Sequence, residues 1–392
     1  MKRKFRSWYF GRAILATAAA VLGLTVQAQE PGAQAASSAF NPAMSLIMDA
    51  TFASFDQKPA TYAIPGVALA DETGPGEEGF SLGESELVVS SNVDDKFYAL
   101  LTAALTPENE VEVEEAFIET TALGYGATIK AGRFFSGIGY LNEQHTHVWD
   151  FVDTALPYRA ILGNQYGDDG VQLRWVAPTD LFIEVGAEMF RGDGYPAGGA
   201  ANDGKGTKSI FLHVGDDVGA SHSWRAGISR LNTRAINRET GTTPDLFTGD
   251  SNVTIVDFLW KWAPNRSPSE HYLKLQAEYL RRDEDGAFNT VAYDTGQHGW
   301  YVQGVYQFMP RWRVGVRHDT VEADNVPVAL AGTVLDNQQH KPERTSLMVD
   351  FSNSEFSRLR LQYNNDDSRT VSDTQWYVQY LMSLGAHGAH KY

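Results

Sequence analysis

The chain has 392 residues, 43% of them hydrophobic, no cysteine and a formal net charge of −17. Without thiols it holds neither a disulfide nor a thiolate metal site, and its acidity argues against a nucleic-acid partner, which needs basic surface to displace counterions. Beyond the N-terminus no apolar run approaches the roughly 20 residues of a membrane-spanning helix.

Lys2, Arg3, Lys4, Arg6 and Arg12 precede an apolar run from Ala13 to Leu24, and Val26-Gln27-Ala28 supplies the small residues a signal peptidase reads. This predicts a secretory signal over 1–28, cleaved after Ala28. The mature chain then carries 27 basic and 49 acidic residues, a net −22 over 364 residues. Residues 29–41, rich in Ala, Ser and Gln, read as a flexible periplasmic tail ahead of a single domain, 42–392.

That domain is a succession of short segments in which apolar and polar residues alternate. In the last, Trp376, Val378, Tyr380, Met382 and Leu384 share one face, while Gln375, Gln379 and Ser383 lie on the other. Period two is a strand, and a strand with one apolar face repeated to the end of the chain predicts lipid outside and water inside. Sixteen strands are expected near 43–55, 80–93, 96–106, 111–122, 127–135, 170–177, 181–190, 209–217, 222–232, 252–263, 271–282, 298–308, 312–320, 344–352, 357–364 and 374–384. Short turns such as Asp94-Asp95 alternate with long connections. The expected fold is therefore an all-β transmembrane antiparallel barrel in the outer membrane of a Gram-negative bacterium, in contact with lipid and with both termini periplasmic.

One connection stands apart. Ser136–Asp169, the third external one, mixes Tyr140, Trp149, Phe151, Tyr158 and Tyr166 with Glu143, Asp150 and Asp153. Bulky aromatics suit a segment packed against a wall, so this third loop is expected to fold into the barrel. Parity assigns the wall charges. Val314 and Val316 face lipid, which turns Arg313 and Arg317 inward; Leu359 and Leu361 do the same for Arg358 and Arg360. Arg225 and Lys274 are inward on the ninth and eleventh strands. A charge facing lipid at mid-membrane costs about 2–4 kcal/mol, which forces these choices. Basic wall residues opposite the acidic loop would set a transverse field across a constriction, a means by which pores select ions.

Glu114-Glu115-Ala116-Phe117-Ile118-Glu119, then Gly132-Arg133-Phe134-Phe135 and Gly137-Ile138-Gly139-Tyr140, resemble the phosphate-selective porin O/P-type barrels. The resemblance implies a sixteen-stranded, homotrimeric channel whose third loop sets the constriction, with Arg133 counted among the pore residues. The loop lacks the family's dense ladder of basic residues, so phosphate selectivity does not carry over.

His145-Thr146-His147 could share a metal, as could His387 and His390. No metal or other cofactor is expected, with His145 and His147 the nearest candidates. Gly199–Lys205 imitates a phosphate-binding loop but has Gly206 where Ser or Thr should hold magnesium. No nucleophile elbow is present, so an enzyme is not expected. The leading reading is a porin for passive diffusion of small hydrophilic solutes or ions. The competing one is a ligand-specific, possibly metal-linked receptor or uptake barrel; the third-loop histidines and a conductance measurement discriminate between them.

Overall fold

The computed structural model describes residues 42–70, 73–106, 110–198, 204–240 and 245–385. The expected signal and tail, and the terminal His387 and His390, lie outside them, as does most of Gly199–Lys205. The described residues form one antiparallel sheet that closes on itself. Its strands are β1 (Ala43–Phe55), β2 (Gly79–Leu82, continued by Ser85–Asn92), β3 (Phe97–Leu105), β4 (Val111–Thr120), β5 (Ala127–Phe135), β6 (Gly167–Val176), β7 (Phe182–Phe190) and β8 (Thr207–Val218). β9 (His222–Thr240), β10 (Asp245–Trp262), β11 (Tyr272–Phe288), β12 (Val291–Met309), β13 (Trp312–Ala323), β14 (Glu343–Ser354), β15 (Ser357–Asp366) and β16 (Asp373–Gly385) complete it. Each strand pairs with the next. β1 pairs with β16 from Ser45↔Gly385 to Phe55↔Gln375, which shuts the barrel. Sixteen strands, as expected, become a closed wall.

The outer face is apolar because alternate residues are. Leu46, Met48 and Phe52 on β1, Leu173 and Trp175 on β6, Val314 and Val316 on β13, and Trp376, Val378 and Tyr380 on β16 are all exposed. Their neighbours in sequence point inward and are polar, as with Arg313, Arg317, Gln375 and Gln379. In hydrocarbon every backbone donor needs a partner within the chain, which closure provides. This closed barrel with an apolar exterior belongs in the bacterial outer membrane. Among the described residues no helix is long and apolar enough to cross a membrane.

Short turns join the strands at one end. Asp94 caps its turn by accepting from the Lys96 and Phe97 amides at 2.7 and 2.9 Å. At the other end the structure departs from expectation. The stretches 233–251 and 283–297, expected as mostly loop, are largely strand, and β9 and β12 each run 19 residues. Crossing needs only about 9–11. The surplus rises past the apolar band, whose upper limit is marked outward by the change from Ile228 to Arg230 and from Tyr279 to Arg281.

The chain contains no cysteine, so single substitutions give unique thiols. Cysteines at Thr290 and Val328 should react with an impermeant maleimide on intact cells, and those at Asp95 and Asp180 only after the envelope is opened. Labelling of Asp95→Cys from outside would reverse the orientation.

Candidate functional site

The segment between β5 and β6 is held by inward side chains from much of the wall. Its neck is tied by Asn142, which donates to the carbonyls of Ser136 and Tyr166 at 2.8 Å each and accepts from the Tyr166 amide at 2.7 Å. Glu278 on β11 accepts from the Tyr140 and Leu141 amides at 2.9 and 3.0 Å and from the Tyr158 hydroxyl at 2.7 Å. Gly139 must be glycine here. Its φ is +67°, and a Cβ would stand 2.4 Å from the Tyr158 hydroxyl.

Farther along, Asp150 pairs with Lys274 and with Arg313 at 3.3 Å. Asp153 is gripped by four donors: Arg317 at 2.7 Å, Arg344 at 2.6 Å, Gln362 at 2.7 Å and Asn364 at 3.0 Å. Arg360 donates to the Trp149 carbonyl at 2.7 Å and Arg358 to that of His147 at 2.8 Å. The segment then forms a helix, α1 (Leu156–Leu162), with Pro157 in its first turn and Gly163 (φ 64°) ending it. All seven residues are buried, packed with inward apolar residues such as Val253, Leu280 and Val321. Ile161 and Leu162 alone bring about 1.5–3 kcal/mol each from burial. Ile64 and Val67 of the first external connection join the same cluster. Nothing in their local sequence signalled this.

Burial disfavours the charged form of the loop carboxylates, but their partners pull harder. Arg174, with Lys130 and Arg225, holds Glu143 down at about 2. Lys274 and Arg313 hold Asp150 below the ordinary carboxylate range, and Arg344 and Arg317 do so for Asp153.

Of the expected site residues, Asp150, Asp153, Lys274, Arg313, Arg317, Arg358 and Arg360 come together in this one network. Arg225 donates to the Gly139 carbonyl at 3.0 Å. Glu143 lies apart from them, paired with Arg174 on β6. Loop acids and wall bases were expected to face one another across a gap; they are in contact instead. What remains on this side is an excess of cations, because Lys274, Arg313, Arg317, Arg344, Arg358 and Arg360 surround Asp150, Asp153, Asp319 and Asp350.

Arg133 is corrected. It shares its face of β5 with the exposed Ile129, so it points out of the barrel, where it pairs with Asp169 at 2.8 Å with side chains 46% and 43% exposed.

A second polar group lies on β2 and β4. Both strands are irregular there. Gly83, Glu84 and Ser85 stand against only Met48 and Asp49 of β1, and Glu114 is an extra residue between the Thr102↔Glu115 and Ala103↔Val113 pairs. Such bulges re-aim side chains. Here Glu115 accepts from His145 Nε2 at 2.9 Å and Glu86 from His147 Nδ1 at 2.7 Å. Sequence reasoning found the histidines but not these partners. The legible signal was the adjacent pair Glu114-Glu115, which no regular membrane strand can turn wholly to water.

The geometry defines the class: a sixteen-stranded outer-membrane barrel with an internal loop network. Solved structures agree in fold. OmpT, an outer membrane protein of Vibrio cholerae solved in a trimer form, gives a TM-score of 0.56 at 12% identity, covering 88% of this chain and 99% of that one. The anion-selective porin from Comamonas acidovorans gives 0.56 at 11% over 88% and 99%. The outer membrane channel DcaP of Acinetobacter baumannii gives 0.53 at 13% over 88% and 96%. At these identities the likeness speaks for the fold alone. No family model matches the sequence. The chain belongs to the same family as an uncharacterized protein of Aquifex aeolicus (strain VF5), to which it is 30% identical over 391 residues, 90% of this chain and 80% of the relative.

Removing one partner of a buried ion pair strands the other, at about 3–5 kcal/mol, whereas an exposed pair is worth about 1 kcal/mol or less. Asp153→Ala should therefore lower the denaturant midpoint of the folded barrel far more than Arg133→Ala. The pH dependence has a definite sign. Asp153's folded pKa is depressed, so its contribution is present above its unfolded value of about 3.9 and is lost as pH falls through the folded one. The stability gap between wild type and Asp153→Asn should stay constant from pH 7 to about 4.5 and shrink only in stronger acid.

Proposed function

We propose that this chain is a porin, a water-filled channel through which small hydrophilic solutes or ions diffuse down their gradients, and not an enzyme. The observation that supports the reading is the 136–166 segment, bonded to inward residues from β2 round to β15, which on this reading narrows the lumen. Arg225, Lys274, Arg313, Arg317, Arg358 and Arg360 then border the constriction with Glu143, Asp150 and Asp153.

The cations gathered around Asp150 and Asp153 and the Glu84, Glu86, Glu114 and Glu115 group on β2 and β4 set a field across the barrel. Such a field favours dipolar or zwitterionic solutes over simple ions. The inward packing of Ile64 and Val67 supports a selective channel over a wide one. A trimer belongs to the proposal, in keeping with the trimeric form solved for the Vibrio cholerae protein. So does the O/P-type likeness of Glu114–Tyr140, without its phosphate selectivity. The 1–28 segment is proposed to direct export, leaving Gln29 as the mature N-terminus.

Planar-bilayer recording of the purified protein tests the reading. Discrete conductance steps are expected, and a folded protein that conducts nothing is no porin. Deleting Gln144–Asp153 should raise the conductance. In a salt gradient, Arg358→Ala with Arg360→Ala should shift the reversal potential toward cations; an unmoved potential would take both residues out of the constriction.

A further inference from the structure

Three atoms in the second polar group face one another without a well-formed hydrogen bond: Glu86 Oε2, Glu114 Oε2 and His145 Nδ1. All three are buried atoms, and the Glu86 side chain is 0% exposed. His145 Nδ1 stands 3.4 Å from Glu86 Oε2 and 3.3 Å from Glu114 Oε2, and the three lie within 4.8 Å of one another.

We propose that these residues hold a divalent transition-metal ion of the zinc class, bound by His145 Nδ1, Glu86 Oε2 and Glu114 Oε2, which fastens the 136–166 segment to β2 and β4.

Four observations carry this. The two separations from His145 Nδ1 match the ligand–ligand edge of a tetrahedral site, which for metal–ligand bonds of about 2.0–2.1 Å is about 3.3–3.4 Å. The imidazole is prepared as a ligand. Its Nε2 faces the Glu115 carboxylate at 2.9 Å and must donate to it, so the lone pair of the neutral ring sits on Nδ1, aimed at the other two donors. A carboxylate behind the distal nitrogen is the usual support of a metal-bound histidine.

Glu86 is itself oriented, its Oε1 taking the His147 Nδ1 bond at 2.7 Å and leaving Oε2 for the ion. Charge points the same way. Among the described residues these glutamates pair with His145 and His147 and with no Lys or Arg. Buried carboxylates so lacking in cations favour a positive ion between them. Mixed imidazole and carboxylate donors suit zinc and its neighbours, and a fourth position is left to water or to the neighbouring Glu84 carboxyl.

Both strand irregularities serve this one place. Without the bulge at Glu114, strict alternation would send either it or Glu115 outward. The inference does not depend on the channel reading, since a conducting or a plugged barrel could carry the ion.

The test is metal binding by the purified full-length barrel, stripped with chelator and dialysed against Zn²⁺. His387→Ala and His390→Ala are present throughout so that the tail does not contribute. One equivalent per chain is expected. Glu86→Gln with Glu114→Gln should abolish it, and Glu115→Gln should weaken it by about 10–100-fold through loss of the supporting hydrogen bond. Circular dichroism confirms that each variant is folded, and Arg133→Ala, on the outer face, should bind like wild type. X-ray absorption of the loaded protein should show one imidazole among oxygen ligands. A folded wild type that binds no zinc, affinity unchanged in the Glu86/Glu114 variant, or a metal shell with two imidazoles would each overturn the site. The first of these would leave the cluster a protonated-histidine ion-pair group.

Discussion

A sheet in hydrocarbon cannot keep a free edge, and the pairing of Ala43–Phe55 with Asp373–Gly385 is what removes it. Everything else in the molecule follows from that closure. Once the wall is a ring, each strand has one face in lipid and one inside, and the strict alternation of Trp376, Val378 and Tyr380 with Gln375, Tyr377 and Gln379 becomes obligatory. The enclosed space is then crowded with polar groups whose burial must be compensated. Arg344 is wholly buried, and it is tolerable there only because Asp153 and Asp319 lie within 3.0 Å. The loop network is thus as much a consequence of the closed wall as an addition to it.

The wall was legible in the sequence because its signal is local. All sixteen strands follow from side chains two residues apart. The signal failed where its meaning inverted. Along β9 the apolar residue lies outside at Ile228 but inside at Leu231 and Ala235, and β10, β11 and β12 change in the same way at Val253, Leu280 and Tyr293. Below that level the outer solvent is lipid; above it, water surrounds the sheet and the apolar side turns in, Leu231, Val253 and Leu280 to the cluster around α1 and Ala235 and Tyr293 to Ala68, Leu330 and Leu335. Such a phase change reads as the end of a strand, although the strand pairing continues beyond it, in β9 across a bulge after Ala235.

The site was legible residue by residue but not in its pairings. Parity placed Arg313, Arg317, Arg358 and Arg360 inside, and the aromatic content of 136–169 singled out the loop. Their partnerships span long stretches of chain: 163 residues separate Arg313 from Asp150 and 191 separate Arg344 from Asp153. No local period encodes such contacts. Arg133 shows the opposite error. It entered through a resemblance of motif, whereas the exposed Ile129 on the same strand already turned it outward.

The unequal strand lengths have a consequence for how anything reaches the barrel from outside. β9 to β12 stand as a palisade of 17 to 19 residues, while β3 to β7 have 9 or 10. The mouth is therefore oblique. On the channel reading proposed above, a bulky object settling on the cell surface would rest against the high side, while a small molecule would enter over the low sill beside β4. Exclusion by bulk would then begin in the silhouette of the rim, before any side chain in the interior is met.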